Sequence, residues 1–183
     1  MALTYTPDAQ VGKLAADFAL MGTDDKVHSL REFQSKPALL VMFICNHCPY
    51  VKAIENRLIQ LAEIYTSRGL AIVAISSNDV ENYPEDSFEK MKLKNYPFPY
   101  LIDENQEVAR AYGAVCTPDF FLFDQNQRLQ YRGRLDDSWK DPAQVKTPEL
   151  SIAVEAVLSG GRVSSVQAPS MGCNIKWKNG SKK

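Results

Sequence analysis

Four cysteines in 183 residues are too few to staple a domain of this size, and a chain this long can bury an apolar core without them. Charge of one sign is lacking as well. The formal net charge of -1 gives no basic excess that would draw the chain to nucleic acid or an anionic membrane, so neither is expected as a partner. The basic end (Lys176, Lys178, Lys182, Lys183) carries only Trp177 as an aromatic and reads as a solubilising tail. No apolar run approaches the roughly 20 residues that cross a bilayer. The opening segment holds Asp8 and Asp17 with no unbroken apolar stretch of the kind a secretory signal needs. Repeats and low-complexity segments are missing too. With 45% hydrophobic and 23% charged residues, a soluble, cytoplasmic single domain over residues 1–183 is expected.

Against these absences stands Cys45-Asn46-His47-Cys48, directly after the apolar run 38–44. Two thiols separated by two residues close a small disulfide ring when the backbone between them makes a helical turn. A buried strand handing over to a helix supplies that turn and aims unpaired N–H groups at the first sulfur, favouring its thiolate. Away from oxidising compartments such a pair is more often catalytic or metal-binding than structural.

The run 38–44 has no polar alternation, as expected of a strand covered on both faces. Val51, Ile54, Leu58, Leu61 and Tyr65 then form one stripe of an amphipathic helix ending near Gly69, and 70–75 is a second continuous apolar strand. This is a βαβ unit with a right-handed crossover. Upstream, short strands over 17–20 and 26–28 flank the turn 22–25, and Ser29 with Glu32 resembles a capping box. Downstream, the pattern predicts a helix over 85–93, a strand over 100–102, a helix over 104–112 and a hairpin of 120–123 with 129–131. Pro148 opens a last helix bearing Leu150, Val154, Val157 and Leu158 on its inner face and stopping at Gly160-Gly161. Residues 162–183 read as an irregular C-terminal extension.

Three segments carry a resemblance: 43–49 around the cysteine pair, Tyr96-Pro-Phe-Pro-Tyr-Leu-Ile-Asp103, and Val115-Cys-Thr-Pro-Asp-Phe-Phe-Leu-Phe-Asp124. With their connecting elements they make residues 10–160 resemble the thioredoxin-like fold in its AhpC/TSA, or redoxin, branch. The nearest likeness is to peroxiredoxin-like proteins with a thioredoxin-type CxxC. The resemblance implies an α/β fold, with a central mixed β-sheet flanked by helices, an N-terminal hairpin extension and a C-terminal tail. It puts Cys48 at the peroxidatic position of true peroxiredoxins, whose motif there is PxxxTxxC. Val41 stands where that proline belongs and Cys45 where the threonine belongs, so the hydroxyl that would position a peroxide is missing. It also implies that Pro118, after Thr117, is the cis-proline such folds set against the pair, with a backbone that docks extended substrates.

Cys45 is the expected nucleophile and Cys48, one turn on, the resolving thiol, with the roles inverted if the substrate is a peroxide. His47, as imidazolium, would stabilise a nearby thiolate and make the pair more oxidising, with a potential between about −270 and −120 mV. Cys116 is either a third redox thiol or a small buried hydrophobe. Cys173 either resolves a disulfide or sulfenic acid or has no role. Residues 131–137 read as a solvated charged face, with Arg132 or Arg134 reaching the thiols as the alternative.

The leading expectation is a thiol-disulfide oxidoreductase without cofactor, acting on protein or small-molecule disulfides or thiols with an external thiol reductant and having an antioxidant role. Thiol-dependent reduction of hydroperoxides is the alternative within enzymes. A further alternative is zinc or copper(I) held by Cys45, His47, Cys48 and one of Cys116 or Cys173, although no second CxxC exists and His47 is expected to point outward from so tight a loop. A redox-inactive interaction module is the remaining possibility.

Overall fold

The computed structural model describes residues 3–178. In chain order the elements are β1 (Leu3–Tyr5), β2 (Ala19–Gly22), β3 (Val27–Ser29), β4 (Ala38–Phe43), α1 (Pro49–Tyr65), β5 (Leu70–Ser76), α2 (Phe88–Lys92), β6 (Tyr100–Ile102), α3 (Glu107–Tyr112), β7 (Cys116–Thr117), β8 (Asp119–Asp124), β9 (Leu129–Tyr131), α4 (Glu149–Leu158) and β10 (Met171–Asn174). Seven strands form one mixed sheet in the order β3-β2-β6-β5-β4-β8-β9, and β1-β10-β7 form a second, smaller one.

β4 lies in the middle because every one of its residues is apolar and buried. It pairs in parallel with β5 and antiparallel with β8. Successive side chains point to opposite faces. Leu40 and Met42 therefore join Ile54, Leu58 and Leu61 of α1 and Val154 of α4 on one side. Leu39, Val41 and Phe43 join Val108 and Tyr112 of α3 on the other. Two covered faces explain the unbroken apolar run. At roughly 25 cal/mol per Å² of buried apolar surface, these two layers are the main favourable term in folding.

The helix stripe of α1 buries Val51, Ile54, Leu58, Leu61 and Tyr65, as its spacing predicts. Gly69 ends the turn that follows at φ +106, in the left-handed region that glycine tolerates. α4 begins directly after Pro148 and buries Leu150 and Val154, with Val157 and Leu158 partly covered. The Ser29–Glu32 capping box is present, with the Ser29 N–H donating to Glu32 Oε1 at 2.7 Å. No helix among the described residues is long and apolar enough to cross a membrane.

Five expectations are corrected. The helix over 85–93 is instead a 3-10 turn, Pro84–Asp86, followed by the short α2, because the Asp86 carboxylate is drawn away into the cysteine loop. The helix over 104–112 starts only at Glu107: Gln106 takes φ +63 and sends its side-chain amide to the carbonyls of Ser77 and Lys176.

The C-terminal segment is not irregular throughout, since Met171–Asn174 form a strand between β1 and β7. Its backbone finds partners at two distant places in the chain, which a local pattern does not report. Lys176 is buried rather than part of a solvated tail, its ammonium donating to Asn174 O and Oδ1. Lys182 and Lys183 lie outside the described residues.

Residues 131–137 are not a solvated face either. Arg132 is buried, donates to Asp119 at 2.8 and 3.2 Å, and stacks on Phe121. Asp136 is buried against Arg57, and Arg134 pairs with Glu149. Each of these arginines is thus engaged away from the thiols.

Candidate active site

β4 leaves the sheet after Phe43, and Cys48 is the N-cap of α1, with Pro49 as the first helical residue. Proline suits that place because its missing N–H would have no partner there. The consequence differs from the sequence expectation. The helix start lies at Cys48, the cap itself, and not at Cys45 three residues earlier.

The intervening loop is held by one buried carboxylate. Asp86 Oδ1 accepts the backbone N–H groups of Asn46 at 2.8 Å and His47 at 3.2 Å. Its Oδ2 lies 2.6 Å from His47 Nδ1 and accepts Asn78 Nδ2 at 2.8 Å. The Asn46 side chain donates to Glu85 O and accepts the Tyr100 hydroxyl. His47 therefore turns inward, against the expectation that it points out, and its ring stacks on Tyr83 at 5.5 Å. Sequence reasoning missed Asp86, Asn78 and Tyr83. The string Pro84-Glu-Asp-Ser87 carries only the signal of a helix start, which an acidic residue satisfies equally well in solvent.

The opposite wall is Thr117-Pro118, joined by a cis peptide bond as the resemblance implied. The Thr117 hydroxyl lies 3.4 Å from Cys45 Sγ, and Cys48 Sγ lies 3.1 Å from Thr117 O. β10 closes this wall, with Cys173 opposite Thr117 in the ladder. Gly172 permits the approach: a Cβ there would fall 1.9 Å from Thr117 O. Cys45 and Cys48 are 1% and 0% exposed, so neither sulfur meets solvent in this arrangement.

The two thiols share a proton unequally. Cys48 is pushed down to about 4 by its hydrogen bond with Cys45, with burial opposing, and then by the Thr117 side chain and the N–H groups of Cys173 and Val51. Cys45 is pushed up by the same bond with Cys48, by burial and by the nearby Asp86 carboxylate. Against that pull, the Cys48 S–H donates to Thr117 O, whereas Cys45 Sγ faces the Thr117 hydroxyl and His47 Nδ1. His47 Nδ1 stands 3.9 Å from Cys45 Sγ.

The remaining cysteines separate. Cys116 precedes Thr117 in a strand, so its side chain points to the other face, and its thiol meets Pro118 O at 3.6 Å. Burial pushes its thiol up. Cys173 instead joins the apolar cluster that contains Cys45 and Cys48.

Cys45, His47 and Asp86 offer donor atoms within 4.8 Å of one another. This is not the ligand set read from the sequence. Both Asp86 oxygens already accept two hydrogen bonds each, so the cluster is satisfied as a hydrogen-bonded set. These contacts would have to be given up for Asp86 to bind an ion.

A CxxC pair at a strand-to-helix junction, facing a cis-proline across a mixed sheet with flanking helices, defines a thioredoxin-like protein. The AhpC/TSA family model matches residues 11–132, and the chain belongs to that family. It is 29% identical over 122 residues to thiol-disulfide oxidoreductase ResA of Geobacillus thermodenitrificans, covering 66% of this chain and 67% of that protein. Two solved structures match nearly its whole length at 46% identity. A hypothetical protein from Sinorhizobium meliloti 1021 gives a TM-score of 0.92 over 97% of this chain and all of its own. An uncharacterized conserved protein from Geobacillus kaustophilus gives 0.93 over 99% of each chain.

Proposed function

We propose that this protein is a thiol-disulfide oxidoreductase that cycles Cys45 and Cys48 between dithiol and disulfide. The observation that carries this reading is the sulfur pair itself, buried at the end of β4 opposite Thr117-Pro118. The similarity to a relative named as a thiol-disulfide oxidoreductase supports it.

One sulfur of the pair, as thiolate, attacks one sulfur of a substrate disulfide, and the other substrate sulfur leaves as a thiolate that takes up a proton. The second thiol of the pair then gives up its own proton and attacks the first, so the remaining substrate sulfur leaves as well. The substrate gains two electrons and two protons and the pair becomes a disulfide. An external thiol reductant reverses the change on the protein. Thr117 and His47 position Cys45, and the Thr117-Pro118 backbone is the docking edge for an extended substrate.

Hydroperoxides are not the favoured substrate, because Val41 and Cys45 occupy the places of the proline and threonine that the resembling peroxiredoxins use. Oxidation by peroxide at no more than a free thiol's rate is expected in stopped flow. The direct test equilibrates the native protein with glutathione buffers and maps disulfides by mass spectrometry after alkylation. A Cys45–Cys48 disulfide is expected, and its loss in Cys48→Ser. Both thiols staying alkylatable in oxidising buffer would remove the reading.

A further inference from the structure

Cys48 has two sulfur neighbours, not one. On one side is Cys45. On the other is Cys173, which β10 sets opposite Thr117, the residue whose carbonyl lies 3.1 Å from Cys48 Sγ. Cys173 shares the face of Thr117 in that ladder and lies in the same buried cluster as Cys45 and Cys48, close enough for each of Cys48 and Cys173 to shift the other's thiol. The approach has a built cause. Thr117 O lies so close to the β10 backbone that only glycine fits at position 172, and this brings the next residue against the cap of α1. Cys116, one residue before Thr117 in the same ladder, faces away.

We propose that Cys173 is a second resolving thiol, so that Cys48 exchanges its disulfide between Cys45 and Cys173. This rests on the oxidoreductase reading above and deepens it. Once Cys45–Cys48 has formed, Cys173 Sγ attacks Cys48 Sγ. The Cys48–Cys173 bond forms, the Cys45–Cys48 bond breaks, and Cys45 leaves as a thiolate that takes up the proton Cys173 has lost. No electrons are gained or lost overall, so no further oxidant is needed.

In the dithiol state burial, followed by the hydrogen bond with Cys48 and then its charge, pushes the Cys173 thiol up to about 11, with Lys176 working in the other direction. When Cys48 is held in a disulfide its negative charge is gone, and that part of the opposition disappears. The attacking group is therefore eased at the moment it is needed. The migrated disulfide lies under the C-terminal strand, and Cys45 regains a free thiol beside His47 and Thr117. Oxidation is thereby held between α1 and β10, and the Cys45 thiol is released.

The test uses the full chain as Cys45→Ser, treated with oxidised glutathione under native conditions, alkylated and mapped by mass spectrometry. A Cys48–Cys173 linked peptide is expected, with loss of both alkylatable thiols and release of glutathione. The Cys45→Ser/Cys173→Ser double variant should halt with glutathione on Cys48, and Cys116 should stay alkylatable throughout. Should Cys45→Ser not fold, judged by circular dichroism, Cys173→Ser serves in its place. Wild type in partly oxidising buffer should then give both linked peptides, and Cys173→Ser only Cys45–Cys48. Glutathione retained on Cys48 beside an alkylatable Cys173, or wild type yielding only Cys45–Cys48, overturns the inference while leaving the oxidoreductase reading intact. Absence of any Cys45–Cys48 disulfide in wild type removes that reading instead.

Discussion

Two buried carboxylates stand on opposite sides of the sulfurs, and they are satisfied in different ways. Asp119, next to Pro118, is answered by a full charge: Arg132 donates twice to it and also to Gly113 O. Asp86, under the cysteine loop, is answered by two backbone N–H groups, an asparagine amide and an imidazole. The first arrangement ties β8 to the segment after β9 and fixes the cis-proline wall from behind. The second shapes the loop between the cysteines and sets a negative charge near Cys45. Burial still pushes the Asp119 carboxyl upward despite Arg132, so this pair contributes to the geometry of the wall more than to stability. A guanidinium partner fixes a scaffold, whereas a ring of backbone, amide and imidazole groups fixes a loop whose conformation the chemistry uses.

The sharpest way to break this comparison is Arg132→Ala, which strands a fully buried carboxylate. A loss of about 3–5 kcal/mol is expected in denaturant unfolding at neutral pH, with recovery in Arg132→Met/Asp119→Asn. A loss under 1 kcal/mol would mean that water reaches Asp119. Asp86→Ala leaves several donors unpaired and should cost less, about 2–3 kcal/mol. It should also lower the titration of Cys45, because the opposing negative charge is gone, whereas Arg132→Ala acts on Cys116 and leaves Cys45 unchanged. Equal effects of the two variants on the thiols would erase the distinction.

The smallest change in structure is a change of pH. With Cys48 held down at about 4, thiolate absorbance of the reduced protein should persist through neutral pH and fade only as pH approaches that value. The sign follows from a folded-state value lying below that of the unfolded thiol. The stabilisation is complete above the unfolded pKa of roughly 8.5 and is lost as pH falls toward about 4. Cys48→Ser should flatten that window in urea titrations of the reduced protein. A thiolate midpoint near 8.5 in the wild type would refute the proton assignment.

Much of this architecture was legible. The run 38–44 named the central strand because both faces of β4 are covered, and Tyr100–Ile102 fell where the breakers around Pro97 and Pro99 allow it. The 17-residue α1 kept its apolar stripe because nothing polar competes for its residues. The misreadings lie where a side chain abandons its local element for a distant partner. Asp86 leaves a helix to hold Asn46 and His47, Gln106 bends out to reach Ser77 and Lys176, and Arg132 sinks to meet Asp119. For the site, the two cysteines and Thr117-Pro118 could be read from spacing and resemblance. The direction of the proton between the thiols could not.

By itself the sequence determined which residues are apolar in which period, and so the sheet, its covering helices and the placing of two thiols where a strand ends. Those are short-range consequences of side-chain pattern and chain stiffness. Only the tertiary structure decided that Cys48 rather than Cys45 caps the helix, and that Cys173 arrives beside it from the far end of the chain. The reason is physical. A thiol's charge state depends on donors and dielectric within a few ångströms, and those neighbours come from segments some 70 and 125 residues away, brought close only by packing.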